Sequence, residues 1–280
     1  MISNNAETIR IVNNPKALIK ILNDEGIQFP PTIFDRNDLI NSTKYLVKKI
    51  GGNGGEHVQY EYSYLNKATL SNDNFYYQEC IIGKVYSVVF LANGKKANLI
   101  GFNRLLAAKQ FIDLPFLYEG AISTNIKNQE VLDDINNIVN KITKRIELFG
   151  LCGIDFIIDE SGSMFVIDIN PRPPSTFELH ESKQSLFLAH INCFNNASIN
   201  YSADKYNFSK GHMIYYASKD LLLPENLIWP AWVKDKPFGR QEILKKNPIC
   251  TIYAEGSSEE QVENTLKYRF KEIELFIKSI

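Results

Sequence analysis

Residues 151–178 read LCGIDFIIDESGSMFVIDINPRPPSTFE. Gly153 to Asp159 is rich in β-branched and aromatic residues and too short for a helix. It runs into Glu160-Ser161-Gly162-Ser163, and a second such run, Met164 to Asn170, follows at once. Two runs of this kind across a glycine-containing turn predict a β-hairpin. Asp168 and Asn170 are two apart, so their side chains share one face of the second strand. If Asp155 lies on the same face of its partner strand, three hard oxygen ligands converge. A carboxylate set of this kind suits Mg²⁺, which is held by one or two carboxylates together with substrate phosphates. Pro171-Arg172-Pro173-Pro174 ends the strand and stiffens the exit. Arg172 is thereby fixed beside the acids, where its planar fork can hold a phosphate.

A second candidate lies upstream. Lys44 to Ile50 reads as a strand that enters Gly51-Gly52-Asn53-Gly54-Gly55. The glycines there allow backbone N–H groups to approach phosphate oxygens closely. No Gly-Lys-Ser/Thr follows, and the spacing is not that of a dinucleotide fingerprint. Phe75 to Gly83 reads as a further strand whose end offers an edge and a backbone pair to an adenine ring.

In this order the segments resemble the ATP-grasp superfamily, from about Pro15 to the C-terminus. The supporting motifs are Leu46-Val47-Lys48 with the glycine loop, Gln78 to Gly83, Gly153-Ile154-Asp155, and Asp168-Ile169-Asn170-Pro171-Arg172. The details look closest to a branch of ATP-dependent carboligases related to biotin carboxylase, through Gly101 to Arg104, Pro115 to Ala121, and Pro248 to Gly256. The resemblance implies an α+β ATP-grasp fold, in which two α+β subdomains clamp ATP, with a C-terminal extension. It implies that Lys48 reaches the phosphates and that the loop with Gly51, Gly52, Gly54 and Gly55 folds over them. Gln78, Glu79, Cys80 and Ile81 would hold the adenine. Asp155, Asp168 and Asn170 would bind Mg²⁺, with Mn²⁺ as an alternative, and Arg172 would stabilise the transferred phosphoryl group. The reaction implied is activation of a small-molecule carboxylate as an acyl phosphate, which an amine or similar nucleophile then attacks. Formation of carboxyphosphate from bicarbonate, and nucleotide binding without catalysis, are the alternatives.

Three departures from the family pattern stand out. Val85 occupies the place of a usual ribose-binding acid. An early phosphate-contacting lysine would fall near Pro15, one residue from Lys16. Asp168 replaces the usual glutamate and is one methylene shorter. The domain division expected is a linker and helix remnant over 1–30, a subdomain with the glycine loop and adenine hinge over 31–95, a subdomain with the metal site over 96–205, and an extension packing on the core over 206–280. A front domain common in such enzymes is expected to be missing from this chain, which leaves open a separate partner subunit that supplies it, a truncated gene product or a degenerate enzyme, and a homodimer is the other assembly open to it.

At 280 residues the chain can bury a full core, and its 44% hydrophobic content is ordinary for a globular protein. A formal net charge of −1 argues against coating nucleic acid. No run approaches a membrane span, and the polar start Met1 to Glu7 is not a signal peptide. The four cysteines, Cys80, Cys152, Cys193 and Cys250, are scattered without a C-x-x-C, which predicts reduced core thiols and a cytoplasmic location. His57, after the glycine loop, is a candidate phosphate or substrate contact, and His180 and His190 are expected to flank a helix. Helices are expected over 15–25, 128–148 and 258–279, and strands over most of 31–122. A helix is expected to start near Ser175-Thr176, with Glu178 in a capping box as the favoured role and a substrate contact as the alternative. The stretch 198–240 is expected to be loop-rich.

Overall fold

The structure, a computed structural model, describes residues 2–64, 74–195, 199, 201 and 208–280. The parts of the expected strand region at 65–73, and of the expected loop region at 198, 200 and 202–207, lie outside the described residues. The chain opens with helices α1 (Ala6–Asn13) and α2 (Pro15–Asp24). The Asn14 side chain accepts hydrogen bonds from the N–H groups of Lys16 and Ala17, and Pro15 takes the first helical position, so α2 starts where the chain chemistry favours a start.

Strands β1 (Thr32–Ile33), β2 (Tyr45–Lys49), β3 (Val58–Tyr60) and β4 (Phe75–Glu79) make a four-stranded sheet of order β1-β4-β2-β3, with a one-turn helix α3 (Glu61–Tyr64) after β3. The following strands are β5 (Gly83–Asn93), β6 (Ala97–Ala107), β7 (Tyr118–Thr124), β8 (Phe149–Asp159), β9 (Met164–Asn170), β10 (Ser209–Tyr216), β11 (Leu221–Leu223), β12 (Val233–Lys234), β13 (Gln241–Ile243) and β14 (Pro248–Gly256). Eight of them form an antiparallel sheet of order β12-β14-β10-β7-β6-β5-β8-β9, while β11 and β13 pair separately. β5, inside the 31–95 stretch, pairs within the eight-stranded sheet. β10, β12 and β14, inside 206–280, extend that same sheet.

Helices cover the large sheet on both faces. Helix α4 (Gln129–Ile146) buries Ile135, Val139 and Ile142 against Val88, Phe90, Cys152, Ile154 and Phe156. Val12, Ile21, Leu22 and Ile27 join this core, so α1 and α2 pack into the same layer. Helix α5 (Leu186–Phe194) closes part of the opposite face, with Leu186, Ala189 and Cys193 against Val89, Leu91 and Leu151. Helix α6 (Glu259–Lys278) lays Val262, Leu266 and Ile273 on the β10–β14 end. The sequence expectation of loops over 198–240 is corrected here. β10 is an interior strand, because Gly211, His212 and Met213 pair with β7 while its other edge pairs with β14. The expected position of His190 is also corrected: it lies inside α5, where its Nδ1 accepts the Leu151 N–H at 2.8 Å.

Two local devices fix the outer edge near β9. The Gln28 carbonyl accepts the Val166 N–H at 2.9 Å, so the segment after α2 covers that edge. Asn4 is buried and ties three places together: it donates to the carbonyls of Phe149 and Pro171, each at 2.9 Å, and accepts the Phe149 N–H at 2.8 Å.

Candidate active site

The hairpin β8–β9 turns through residues 159–163, where the Asp159 carboxylate accepts the N–H groups of Ser161 and Ser163, each at 2.9 Å. Its register sets Asp155 directly opposite Asp168 and Gly153 opposite Asn170. Residues directly across a ladder share a face, so both acids and the amide look the same way. Ile167 is an extra residue in β9: Asp155 pairs with Asp168, but Phe156 pairs with Val166. This bulge explains why Val166 and Ile169, three apart, both reach the α4 core.

The row continues across the sheet. Ser87 on β5 pairs with Asp155, Asn103 on β6 pairs with Ser87, and Ser123 on β7 pairs with Asn103. Asp168, Asp155, Ser87, Asn103 and Ser123 therefore form one polar line over five neighbouring strands. Ser87 hydrogen-bonds Asp155 and favours its charged form. Asn103 is fully buried, and its Oδ1 meets His180 Nε2 at 2.9 Å. The Ser123 hydroxyl accepts the Lys210 N–H at 2.8 Å.

Asp155 is half-buried, whereas Asp168 is solvent-exposed. Desolvation is the first cause that pushes both acids above the usual carboxylate range. The Asp168 charge pushes Asp155 further, while Lys48 and Arg172 pull Asp168 back and Asn170 supports the charged form of each. Lys48 comes from the other sheet. It is buried, and its ammonium donates to Gln78 Oε1 at 2.6 Å. Burial pulls its pKa down, and the charges of Asp168 and then Asp155 oppose that. Its ladder partner on β4 is Tyr76, whose hydroxyl is pushed up by burial and then by Asp168. The small sheet thus presents Lys48 and Tyr76 to the acids of the large sheet. Arg172 is solvent-exposed and favours the charged forms of both acids.

The glycine loop turns between β2 and β3. Gly51, Gly54 and Gly55 all adopt positive φ, and the Gly54 carbonyl accepts the Tyr118 N–H at 2.9 Å. A Cβ on Gly55 would collide with the Phe116 carbonyl oxygen, so only glycine permits this approach. The His57 ring folds back over Gly52, with Nδ1 3.3 Å from the Asn53 carbonyl. At the expected adenine hinge, β4 stops at Glu79 and residues 80–82 cross to the large sheet. The Glu79 and Cys80 N–H groups donate to Pro31 and Lys44 carbonyls, each at 2.8 Å. The Gln78 side chain bridges Lys48 and Thr32, donating to Thr32 Oγ1 at 3.1 Å. Gln78 therefore orients the lysine, and of the four hinge residues Ile81 has neither backbone nor side chain in these bonds.

Glu178 corrects the capping expectation. Residues Ser175–His180 form a short 3₁₀ helix whose start has no side-chain cap. The Glu178 carboxylate instead lies 3.2 Å from His212 Nδ1 and 3.4 Å from Lys234 Nζ. Sequence reading passed over Ser87, Asn103, Tyr76 and His212. No local pattern marks them, because each acquires its place through pairing with distant strands. Among the described residues no three His, Cys, Asp or Glu side chains gather as a metal cluster. Nor is any described helix long and apolar enough to cross a membrane.

Comparison with known proteins agrees with this architecture. The chain is 30% identical over 205 residues to the tyramine–L-glutamate ligase of Methanocaldococcus jannaschii, covering 73% of this chain and 57% of the relative. It spans between half and two thirds of the length of the curated relatives it matches. Among solved structures, the biotin carboxylase domain of Hydrogenobacter thermophilus 2-oxoglutarate carboxylase, in complex with MgADP and bicarbonate, superposes with a TM-score of 0.74 at 13% identity, over 95% of this chain and 67% of that one. The L-amino acid ligase of Bacillus licheniformis gives a TM-score of 0.69 at 14% identity, over 93% of this chain and 72% of that one. The model of the ATP-grasp domain matches residues 12–176, more than half the sequence and the whole stretch from α2 through Arg172, so the chain belongs to the ATP-grasp family.

Proposed function

We propose that this chain is an ATP- and Mg²⁺-dependent ligase that activates a carboxylate as an acyl phosphate for attack by an amine. The observation that carries this reading is the position of Lys48. A buried ammonium on the small sheet faces two opposed carboxylates on the large one, and each side perturbs the other's ionisation. A cation site and a phosphate-binding lysine across one cleft are what phosphoryl transfer by positioning and charge neutralisation requires.

In this reading Lys48 holds the phosphates and the Gly51–Gly55 loop covers them with backbone N–H groups. The Glu79–Ile81 hinge lines the adenine, with Gln78 holding Lys48. Asp155, Asp168 and Asn170 hold Mg²⁺ or Mn²⁺. The fit is physical, because two opposed acids, both pushed above their usual range by desolvation and Asp155 further by the Asp168 charge, are relieved by a divalent ion. When bound, the ion neutralises charge on the phosphate oxygens. Arg172, which donates to the Pro173 carbonyl at 3.5 Å, reaches toward the transferred group. We place the division between the two clamping units at residues 80–82, where the chain passes from one sheet to the other. The tyramine–glutamate ligase likeness favours an amino-acid carboxylate and an amine as substrates.

The test is calorimetric titration with MgATP, followed by ADP release with a panel of amino acids and amines. Asp168→Ala combined with Asn170→Ala is expected to abolish Mg²⁺-dependent nucleotide binding. Unchanged binding in the double variant would sink the site assignment. ADP release that depends on bicarbonate alone would move the reading to a carboxyphosphate-forming enzyme.

A further inference from the structure

Resting on the ligase reading above, we propose that Tyr118, His212 and Glu178 form a proton relay that serves the attacking nucleophile. Four contacts make the chain. The Ser175 hydroxyl donates to the Tyr118 oxygen at 3.3 Å. Tyr118 Oη and His212 Nε2 are 2.7 Å apart. His212 Nδ1 lies 3.2 Å from Glu178 Oε1, off the line of a well-aligned hydrogen bond. Glu178 Oε2 lies 3.4 Å from the exposed Lys234 ammonium. The carboxylate on the Nδ1 side selects the Nδ1–H tautomer, which leaves Nε2 to accept the Tyr118 proton.

The placement is a product of the fold. Glu119 is an extra residue in β7: Leu106 pairs with Gly120, but Ala107 pairs with Tyr118. The bulge puts Tyr118 on the same face as Ala121, and Ala121 pairs with His212. That face carries the polar row of Asp168, Asp155, Ser87, Asn103 and Ser123. The Asp155 charge is among the influences that act on Tyr118, and Ser175 stands three residues beyond Arg172. One end of the chain thus opens beside the phosphoryl site, and the other reaches solvent at Lys234. Between them His212 is almost fully buried, and a buried imidazole between a phenol and a carboxylate is more than packing requires. The groups that face it are Glu178 from the 3₁₀ helix, Tyr118 from β7 and Tyr253, its ladder partner on β14, with Lys234 of β12 beyond Glu178.

The chemistry balances. As the amine nitrogen forms its bond to the acyl carbon, the carbon–oxygen bond to phosphate breaks and phosphate departs with the electron pair. The amine N–H proton passes to the Ser175–Tyr118 hydroxyls while the Tyr118 proton passes to Nε2. The resulting imidazolium is compensated by Glu178. The proton then returns to solvent or to the departing phosphate, which leaves as hydrogen phosphate. In this scheme the Ser175 and Tyr118 hydroxyls meet the nucleophile, and His212 and Glu178 are positioning and proton-holding residues.

The experiment uses the full chain with MgATP, the twenty amino acids as carboxylates, and tyramine or hydroxylamine as nucleophile. Both nucleophiles lose one N–H proton on acylation, but tyramine, an ammonium at neutral pH, must first shed another, whereas hydroxylamine is already neutral. His212→Gln and Tyr118→Phe are expected to lower tyramine-dependent turnover by about a hundredfold or more, with a much smaller loss for hydroxylamine. The shape of the tyramine-dependent pH–rate profile is expected to change in His212→Gln. Glu178→Gln, at a half-buried position, is the milder substitution and is expected to change the same profile. Equal losses with both nucleophiles, or an unchanged pH profile in His212→Gln and Glu178→Gln, would overturn the relay. Wild-type protein that releases no ADP with any carboxylate would overturn the ligase reading itself.

Discussion

The carbonyl of Gly54 accepts a hydrogen bond from the Tyr118 N–H at 2.9 Å, which ties the glycine loop of the small sheet to strand β7 of the large one. The loop is therefore docked across the cleft, and Gly55 rests on the Phe116 carbonyl at φ +78°. Gly55→Ala adds both a collision and left-handed strain, roughly 1–3 kcal/mol together. The expected outcome is an undocked loop and MgATP affinity lowered about tenfold. Hydrogen exchange at the Tyr118 amide, faster in the variant than in wild type, checks the first part, and calorimetry checks the second.

Removal of the Lys48 partner is a separate matter from removal of the lysine. Gln78→Leu keeps the volume but leaves a buried ammonium without its 2.6 Å acceptor. A stability loss of about 1–3 kcal/mol is expected in denaturant unfolding. Lys48→Met, which removes the charge with its desolvation cost, is expected to be milder for stability and more severe for nucleotide binding.

The opposed acids make stability depend on pH. Asp155 and Asp168 both have folded pKa values raised above their unfolded ones. The stability they contribute is fully present below the unfolded carboxylate range and is lost as pH rises through the raised values. Without a divalent ion, Tm is expected to fall from pH 4 toward neutrality on this account. Asp168→Asn removes one charge of the pair, so it is expected to flatten that slope and to raise Tm near neutral pH. Mg²⁺ is expected to raise the wild-type Tm there and to leave the variant's unchanged. A Tm of Asp168→Asn below wild type at neutral pH without Mg²⁺ would contradict the electrostatic account.

Arg172 follows Pro171, whose carbonyl is held by Asn4. Arg172→Ala is expected to reduce kcat by about a hundredfold or more with little change in KM for ATP, as for loss of a charge that acts on the developing transition state. Asn4→Ala loses three hydrogen bonds at a buried site and leaves two backbone groups of Phe149 without that partner. A stability loss of about 1–3 kcal/mol is expected by thermal or chemical unfolding.

What the sequence discloses here is what short-range chemistry determines. The β8–β9 hairpin was legible because its strands, turn and proline exit all lie within residues 151–174. Helix α4 was legible from its apolar stripe. Strand β10 was not, since Lys210, Gly211 and His212 break an apolar run that the structure completes with partners on β7 and β14. Glu178 looked like a cap because Ser175 precedes it at capping distance, yet the chain there takes a 3₁₀ turn and the carboxylate finds His212, 34 positions on. The continuation of the polar line beyond Asp155, through Ser87 and Asn103 to Ser123, has no such signature. It exists only as register, and register between β5, β6, β7 and β8 is decided by the whole sheet.

The pairing of Lys48 with Tyr76, two residues before Gln78 and four before Cys80, gives the small sheet the character of a length gauge. Strand geometry sets the lysine and the hinge roughly 13 Å apart along β4, and the Lys48–Gln78 bond locks that spacing into one rigid piece. A nucleotide laid along it would be measured from base to phosphate before the large sheet contributes anything. A one-residue slip of β2 against β4 would alter the gauge by roughly 3.3 Å and turn Lys48 to the wrong face at the same stroke. The spacing between Lys48 and the hinge is thus written in a backbone ladder, not in the side chains at its two ends.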